Sequence, residues 1–306
     1  MQSSFMGSLM EMTEKHSDIF YLTADSGEGG LDLMYQRNFP DRCFNFGIAE
    51  ETMIASAAGL ALCGKTPYVY TAAPFLAYRS FEFIRNDVCL QNVPVKIFGS
   101  GSGISVSSLG PTHHTTEDIA VLRSLPNLTI FSPATPKQAY ESVIEAYSIP
   151  GPVYVRLGMN KEREFFADGY MIPSGGLDVM RKGSDAVVLS TGSVLMEVMA
   201  AAEILQSEGI NLTVLNSFSI KPFDSETFLE YASSVKHVIT VEEHNVIGGL
   251  GSIAEECLIA AGLSRSLLKI GLNDRFSKGY GKLDTVRREN GLDAATIAEC
   301  IRKELQ

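Results

Sequence analysis

The chain has 306 residues, 45% of them hydrophobic and 20% charged, with a formal net charge of −11. That length allows two domains with ample core, and the acidic balance argues against nucleic acid or an anionic membrane as a partner, since both reward a basic surface. A phosphorylated small molecule stays open, because it needs only a local set of donors.

No apolar run is long enough to span a bilayer, and the start, MQSSFMGSLMEM, has neither a basic n-region nor a cleavage pattern. Cytoplasm is the expected compartment. Cys43, Cys63, Cys89, Cys257 and Cys300 are odd in number and scattered. They lack the paired spacings of a disulfide framework or a zinc site, so they read as reduced thiols.

The first residues, to about Lys15, read as an amphipathic helix, and Ile19 to Thr23 as a buried strand. That strand runs into Asp25-Ser26-Gly27-Glu28-Gly29-Gly30. Acid and glycine residues at the carboxyl end of an early strand suit a ligand-facing loop, and a plain polar turn is an equal alternative. Next comes a strand end at Phe44 to Phe46, a turn at Gly47, and a helix headed by Glu50 and Glu51. A first-turn carboxylate is ordinary, because it complements the positive helix end. The rest of this helix is Ala, Ser, Gly and apolar residues with almost no charged face, which predicts burial on several sides. A carboxyl carried into such surroundings must lose its charge or find a partner.

Pro67 to Thr71 reads as a strand that leads into Ala72 to Arg79, where Phe75 and Tyr78 would share a face of a helical turn, and then into a helix through about Gln91. The strand Val93 to Phe98 enters a long Gly/Ser-rich loop that ends at Gly110-Pro111-Thr112-His113-His114. Long irregular loops in compact domains are commonly functional, and Gly101 and Gly103 would let backbone approach a ligand. Adjacent histidines cannot easily face one metal ion, so His113 reads as a hydrogen-bonding imidazole. A helix from Thr116 to Leu125, a strand from Leu128 to Phe131 and a helix opened by Pro136 follow. The strand Val153 to Gly158 carries Arg156, either a buried ion pair or a clamp for a substrate anion. Residues 161–183 read as an interdomain crossing between a first domain at 1–160 and a second at 184–306. The second domain resumes strand–helix alternation, with strands at Ala186, Leu212, His237 and Leu268 and a final amphipathic helix from Ala294. The fold class is α/β, two domains with mostly parallel sheets.

Gly47-Ile48-Ala49-Glu50, the Phe75/Tyr78 segment, Gly110-Pro111-Thr112-His113 and Glu242-Glu243-His244-Asn245-Val246-Ile247-Gly248-Gly249-Leu250-Gly251-Ser252 occur in that order. Together they resemble the C-terminal half of transketolase and of 1-deoxy-D-xylulose-5-phosphate synthase, over nearly the whole chain. The resemblance implies two three-layer α/β domains, the first binding the pyrimidine of thiamine diphosphate and the second supporting dimerisation. It assigns Glu50 to the pyrimidine N1′, with the carboxyl kept protonated by an apolar pocket, and Phe75 to stacking on the pyrimidine. Tyr78 becomes a nearby wall, Asp25 an acid facing the thiazolium, His113 a contact to the donor's oxygens, and Arg156 the clamp on the sugar's anionic end. Glu51 remains an ordinary first-turn residue, and His244 with its glycines shapes a turn and a subunit contact.

The family's Gly-Asp-Gly signature for Mg²⁺ and the diphosphate is missing from the sequence. The resemblance therefore implies a partner subunit, the N-terminal half of a transketolase, that holds Mg²⁺ and the diphosphate in a dimer of heterodimers. Leu109 stands where many transketolases have an Asp that recognises a donor hydroxyl, Gly101 where they have a histidine, and Ala72 where they have an aromatic. These departures imply a non-standard substrate, a modified ketose or a 2-oxo acid. Two alternatives carry less: a 2-oxo-acid dehydrogenase beta chain, and a non-catalytic scaffold that kept the fold.

Overall fold

The computed structural model describes residues 1–26, 30–159 and 162–306. The glycines of the acid–glycine loop at 27–29 and the expected domain boundary at 160–161 lie outside the described residues.

In chain order the elements are α1 (Gln2–Lys15), β1 (Ile19–Thr23), α2 (Leu31–Asn38), β2 (Cys43–Asn45), α3 (Glu50–Leu62), β3 (Thr66–Ala72), α4 (Phe81–Phe83), β4 (Lys96–Ser100), α5 (Asp118–Leu122), β5 (Thr129–Phe131), α6 (Pro136–Ser148) and β6 (Val153–Leu157). The second half contributes β7 (Leu177–Arg181), β8 (Ala186–Ser190), α7 (Leu195–Ser207), β9 (Leu212–Ser217), β10 (Ser219–Lys221), α8 (Ser225–Ser233), β11 (His237–Asn245), α9 (Leu250–Ala260), β12 (Ser266–Leu272), α10 (Leu283–Glu289) and α11 (Ala294–Glu304).

Among the described residues the first sheet has the order β10-β5-β6-β4-β3-β1-β2, parallel except for β10. β1 has β2 on one side and β3 on the other, so the winding direction reverses at β1/β3. The loops after those two strands therefore diverge and open a crevice at the carboxyl edge. β1, β3, β4 and β6 are apolar runs because both faces are covered. One face carries α1 and α6. The other carries α3, whose Met53, Ile54, Ala57, Ala58 and Ala61 are all buried, and whose small side chains let its backbone lie close to β3. Burying each larger apolar side chain contributes about 1.5–3 kcal/mol.

The second sheet has the order β12-β11-β8-β9-β7, with β7 the antiparallel member. β10 follows β9 after one residue but leaves this sheet to pair antiparallel with β5 of the first. The halves are further joined through Asp178, which accepts from Gln138 at 2.7 Å and from Tyr170 and Asn216. Burial pushes its carboxyl above the usual range, against the pull of those donors. Asn245 N–H donates to the Thr116 carbonyl at 2.7 Å.

Four local features differ from the sequence reading. The helix expected after Arg79 through about Gln91 is the single turn α4 followed by a wide π-helical turn at Ile84–Cys89, and a second π-helical turn, Phe75–Arg79, precedes it. The expected helix Thr116 to Leu125 shortens to α5, because Thr116 and Glu117 are drawn into side-chain hydrogen bonds. β7 lies inside the expected crossing, and β10 was not expected at all.

Candidate active site

The crevice at β1/β3 is built from short-range constraints. Asn45, at the end of β2, accepts from Asp25 N–H at 3.1 Å and from Gly47 N–H at 2.9 Å. One carboxamide thus ties the loop after β1 to the turn before α3. Asp25 is exposed and has a left-handed backbone (φ 54°), and Gly47 (φ 64°) supplies the turn that delivers Glu50 to the head of α3. Ala49 cannot cap that helix with its side chain, so the N-terminal N–H groups stay available to an acceptor.

Glu50 is 1% exposed, and its Oε2 accepts a hydrogen bond from Arg79 Nη1 at 2.6 Å. The apolar pocket expected for this carboxyl is corrected: its surroundings demand charge loss or a partner, and the structure supplies the partner. Arg79 also lies over Phe75, its Cζ 5.0 Å from the ring centroid. His113 meets the same ring edge-on, with centroids 5.3 Å apart and planes at 73°. Thr112 Oγ1 orients the imidazole through Nδ1 at 2.9 Å, and the His113 N–H is fixed on the Gly110 carbonyl. Glu50, Arg79, Phe75 and His113 therefore form one connected cluster, drawn from the head of α3, a π-helical turn and the histidine loop. Such a cluster offers a buried carboxyl, an aromatic face and an imidazole to a flat heteroaromatic ligand.

Tyr78 belongs to the wall rather than to the Phe75 face. Its hydroxyl donates to Glu117 Oε2 at 2.9 Å and accepts from the Glu117 N–H at 3.0 Å. Burial, then the Asp118 and Glu117 charges, push its phenol well above the ordinary value and keep that proton in place. Leu109 is 52% exposed on the loop next to Gly110.

Two sequence assignments change. Arg156 is 3% exposed, with Nε on Asp118 Oδ2 at 2.6 Å, Nη1 on Ser132 and Nη2 on the Thr115 carbonyl. Its donors are spent inside the protein, so it is the buried ion pair and not a free anion clamp. Gly101 (φ 82°) is buried, and a Cβ there would lie 2.4 Å from Val106 Cγ2. Its backbone is close to its own loop rather than open to a ligand.

The Glu242 to Ser252 motif is also explained. Glu242 accepts from the Leu250 and Gly251 N–H groups at 2.7 and 2.8 Å, capping α9 with a carboxylate. A Cβ on Gly249 would sit 2.1 Å from Glu242 Oε2, so only glycine lets this carboxylate approach.

The second half also braces the histidine loop. Ser107 and Gly281 exchange hydrogen bonds at 2.7 and 3.0 Å, Ser277 Oγ bonds His114 Nδ1, and Tyr280 packs on Gly110. Sequence reasoning missed Arg79 and this brace. Arg79 stands four residues after Phe75, a same-face spacing that could have flagged it; nothing local signals the brace. Among the described residues no three His, Cys, Asp or Glu side chains converge as a metal site.

A two-domain α/β chain with a buried carboxylate and an aromatic face at the first sheet's switch point has the form of the pyrimidine-binding half of a thiamine diphosphate enzyme. Residues 1–162 match the family described as transketolase, pyrimidine binding domain, and residues 175–297 match transketolase, C-terminal domain; the chain belongs to the transketolase family.

Its relatives include one of the subunits of the apulose-4-phosphate transketolase of Actinobacillus succinogenes, 38% identical over 92% of this chain and 91% of that protein. A 6-deoxy-6-sulfo-D-fructose transketolase subunit of a Clostridium species is 32% identical over 97% and 92%. Among solved structures, a split-gene transketolase described as an inactive β4 tetramer superposes with a TM-score of 0.88 at 34% identity, covering 99% of this chain and 97% of that one. Against the 1-deoxy-D-xylulose-5-phosphate synthase of Carboxydothermus hydrogenoformans, the chain matches at 36% identity but spans 46% of that protein.

Proposed function

We propose that the chain is the C-terminal subunit of a split, thiamine diphosphate-dependent transketolase-like enzyme that transfers a two-carbon ketol unit. The observation that carries this reading is Glu50, buried at the head of α3 beside the Phe75 ring. The residues fit the pyrimidine half of the cofactor: Glu50, once protonated, would donate its O–H to the ring nitrogen N1′, and Phe75 offers a stacking face. When bound, the cofactor supplies the carbanion-stabilising chemistry. The chain's task is to hold the ring, keep water from its buried edge, and place an imidazole over the reacting carbons.

His113 is tethered at both its backbone and its Nδ1, so Nε2 is the atom free to hydrogen-bond a donor's carbonyl or hydroxyl oxygen. Asp25 borders the crevice from the β1 side and faces the thiazolium end. Leu109, exposed beside this loop, cannot recognise a hydroxyl, and it supports a donor that is a modified ketose or a 2-oxo acid.

The missing Gly-Asp-Gly signature supports a partner subunit that holds Mg²⁺ and the diphosphate, and the reading extends to a heterotetramer of two such pairs acting in the cytoplasm. A relative's inactive tetramer made of one chain type supports both self-association and the need for that partner. Relatives named for apulose-4-phosphate and sulfofructose support a donor outside the common sugar phosphates.

The test is Glu50→Gln in the reconstituted complex. Loss of a general acid–base contact should lower ketol transfer by roughly 10²–10⁴-fold. Nearly intact activity would mean that the chain is a scaffold, and acyl transfer to lipoamide would favour the dehydrogenase reading.

A further inference from the structure

We propose that Arg79 is a displaceable occupant of the pyrimidine site, a guanidinium that must leave Glu50 and Phe75 before the cofactor ring can dock. This rests on the reading of that cluster as the pyrimidine pocket. Two contacts define the pocket: a hydrogen bond to the Glu50 carboxyl and stacking on the Phe75 ring. Arg79 already makes both, with Nη1 2.6 Å from Glu50 Oε2 and Cζ 5.0 Å from the Phe75 centroid. A guanidinium resembles an aminopyrimidine ring in being planar and in stacking on aromatic faces. A ring that docks on that same Oε2 and that same stretch of Phe75 requires the guanidinium to leave.

The surroundings distinguish a mobile arginine from a fixed one. Arg156 is enclosed at 3% exposure and bonded to Asp118, Ser132 and Thr115. The Arg79 side chain is 40% exposed and, among the described residues, hydrogen-bonds Glu50 alone. It follows a wide π-helical turn, Phe75–Arg79, that ends at Arg79 itself, so its stem can swing toward solvent while Phe75 stays in place.

The asymmetry of burial sets the direction of exchange. Arg79 can regain water when it leaves, whereas Glu50, 1% exposed, cannot. A buried carboxylate stripped of its cationic partner must take up a proton, and the resulting carboxyl O–H can then be donated to the ring nitrogen. Arg79 thus keeps the site satisfied without cofactor and sets how tightly the cofactor is held.

The measurement is calorimetric titration of thiamine diphosphate with Mg²⁺ into the chain reconstituted with its diphosphate-binding partner. Arg79→Ala removes the competitor and should tighten cofactor binding about 5- to 10-fold, the sum of a half-exposed ion pair and a cation–π contact. Arg79→Gln keeps a planar donor without charge and should fall between Arg79→Ala and wild type; it decides the matter should the alanine variant fold poorly. In a Glu50→Gln background the gain should shrink, since the guanidinium then holds a neutral amide. Equal or weaker binding by both Arg79 variants, with wild type binding normally, overturns the proposal and makes Arg79 part of the cofactor's grip. If the wild-type complex takes up no thiamine diphosphate, the pocket reading itself falls.

Discussion

Arg156 separates a structural cation from a substrate clamp, and the structure sets the size of the effect. Asp118 is fully buried; its Oδ2 accepts from Arg156 Nε at 2.6 Å and from Tyr154 Oη at 2.8 Å, while Oδ1 has no hydrogen-bond partner among the described residues. Arg156→Met fills most of the volume but leaves Asp118 charged, buried and held by one phenol. Removing one member of a buried pair costs about 3–5 kcal/mol. For a chain of this size that corresponds to a fall in Tm of about 5–8 °C.

The partner substitution makes the argument sharper. In Arg156→Met/Asp118→Asn the remaining amide still accepts from Tyr154 but carries no charge, so most of the lost stability should return. Thermal unfolding followed by circular dichroism on the four proteins of the cycle gives the coupling directly. A wild-type Tm for Arg156→Met, together with a raised KM for the donor in the reconstituted enzyme, would refute the reasoning and restore the clamp.

Two more outcomes follow from single sites. Burial pulls the Lys96 ammonium from its ordinary 10.5 down to about 7, and its Nζ donates to the Ile149 and Gly151 carbonyls at 2.5 and 2.8 Å. Between those two values the unfolded chain binds the extra proton, so this site makes stability rise with pH across that window; urea midpoints at stepped pH should show a steeper rise for wild type than for Lys96→Met. Gly110 has φ 77°, and a Cβ there would meet Tyr280 Cε1 at 2.0 Å. Gly110→Ala should cost roughly 1–3 kcal/mol of local stability, read as faster amide exchange in the loop, and Tyr280→Ala should recover only the steric part because the backbone strain remains.

The alternation of strands and helices was legible because buried parallel strands are continuous apolar runs, and α3 stood out by its lack of a charged face. Glu50 could be found for the same reason: a carboxyl at the head of such a helix demands an explanation. Its pairing with Arg79 could not, since the two residues lie 29 apart in the chain and no local pattern links them. Arg156 reads the same in sequence whether it faces solvent or Asp118; only the positions of α5 and β6 decide. β10 escaped because three residues carry no alternation, and its partner β5 lies far back in the chain. The brace from Ser277 to Gly281 is invisible for a similar reason, being a contact between two loops without pattern.

That small strand bears on how the protein could be divided. β10 is made from the second half of the chain yet forms the outer edge of the first sheet. A fragment ending at residue 162 would leave β5 with a bare row of N–H and C=O groups, a template for strand addition and aggregation. A fragment starting at 175 would carry β10 with nothing to pair against. The family boundary is thus a poor place to cut: gene fusion or domain exchange between relatives should succeed only when residues 219–221 travel with a matching β5.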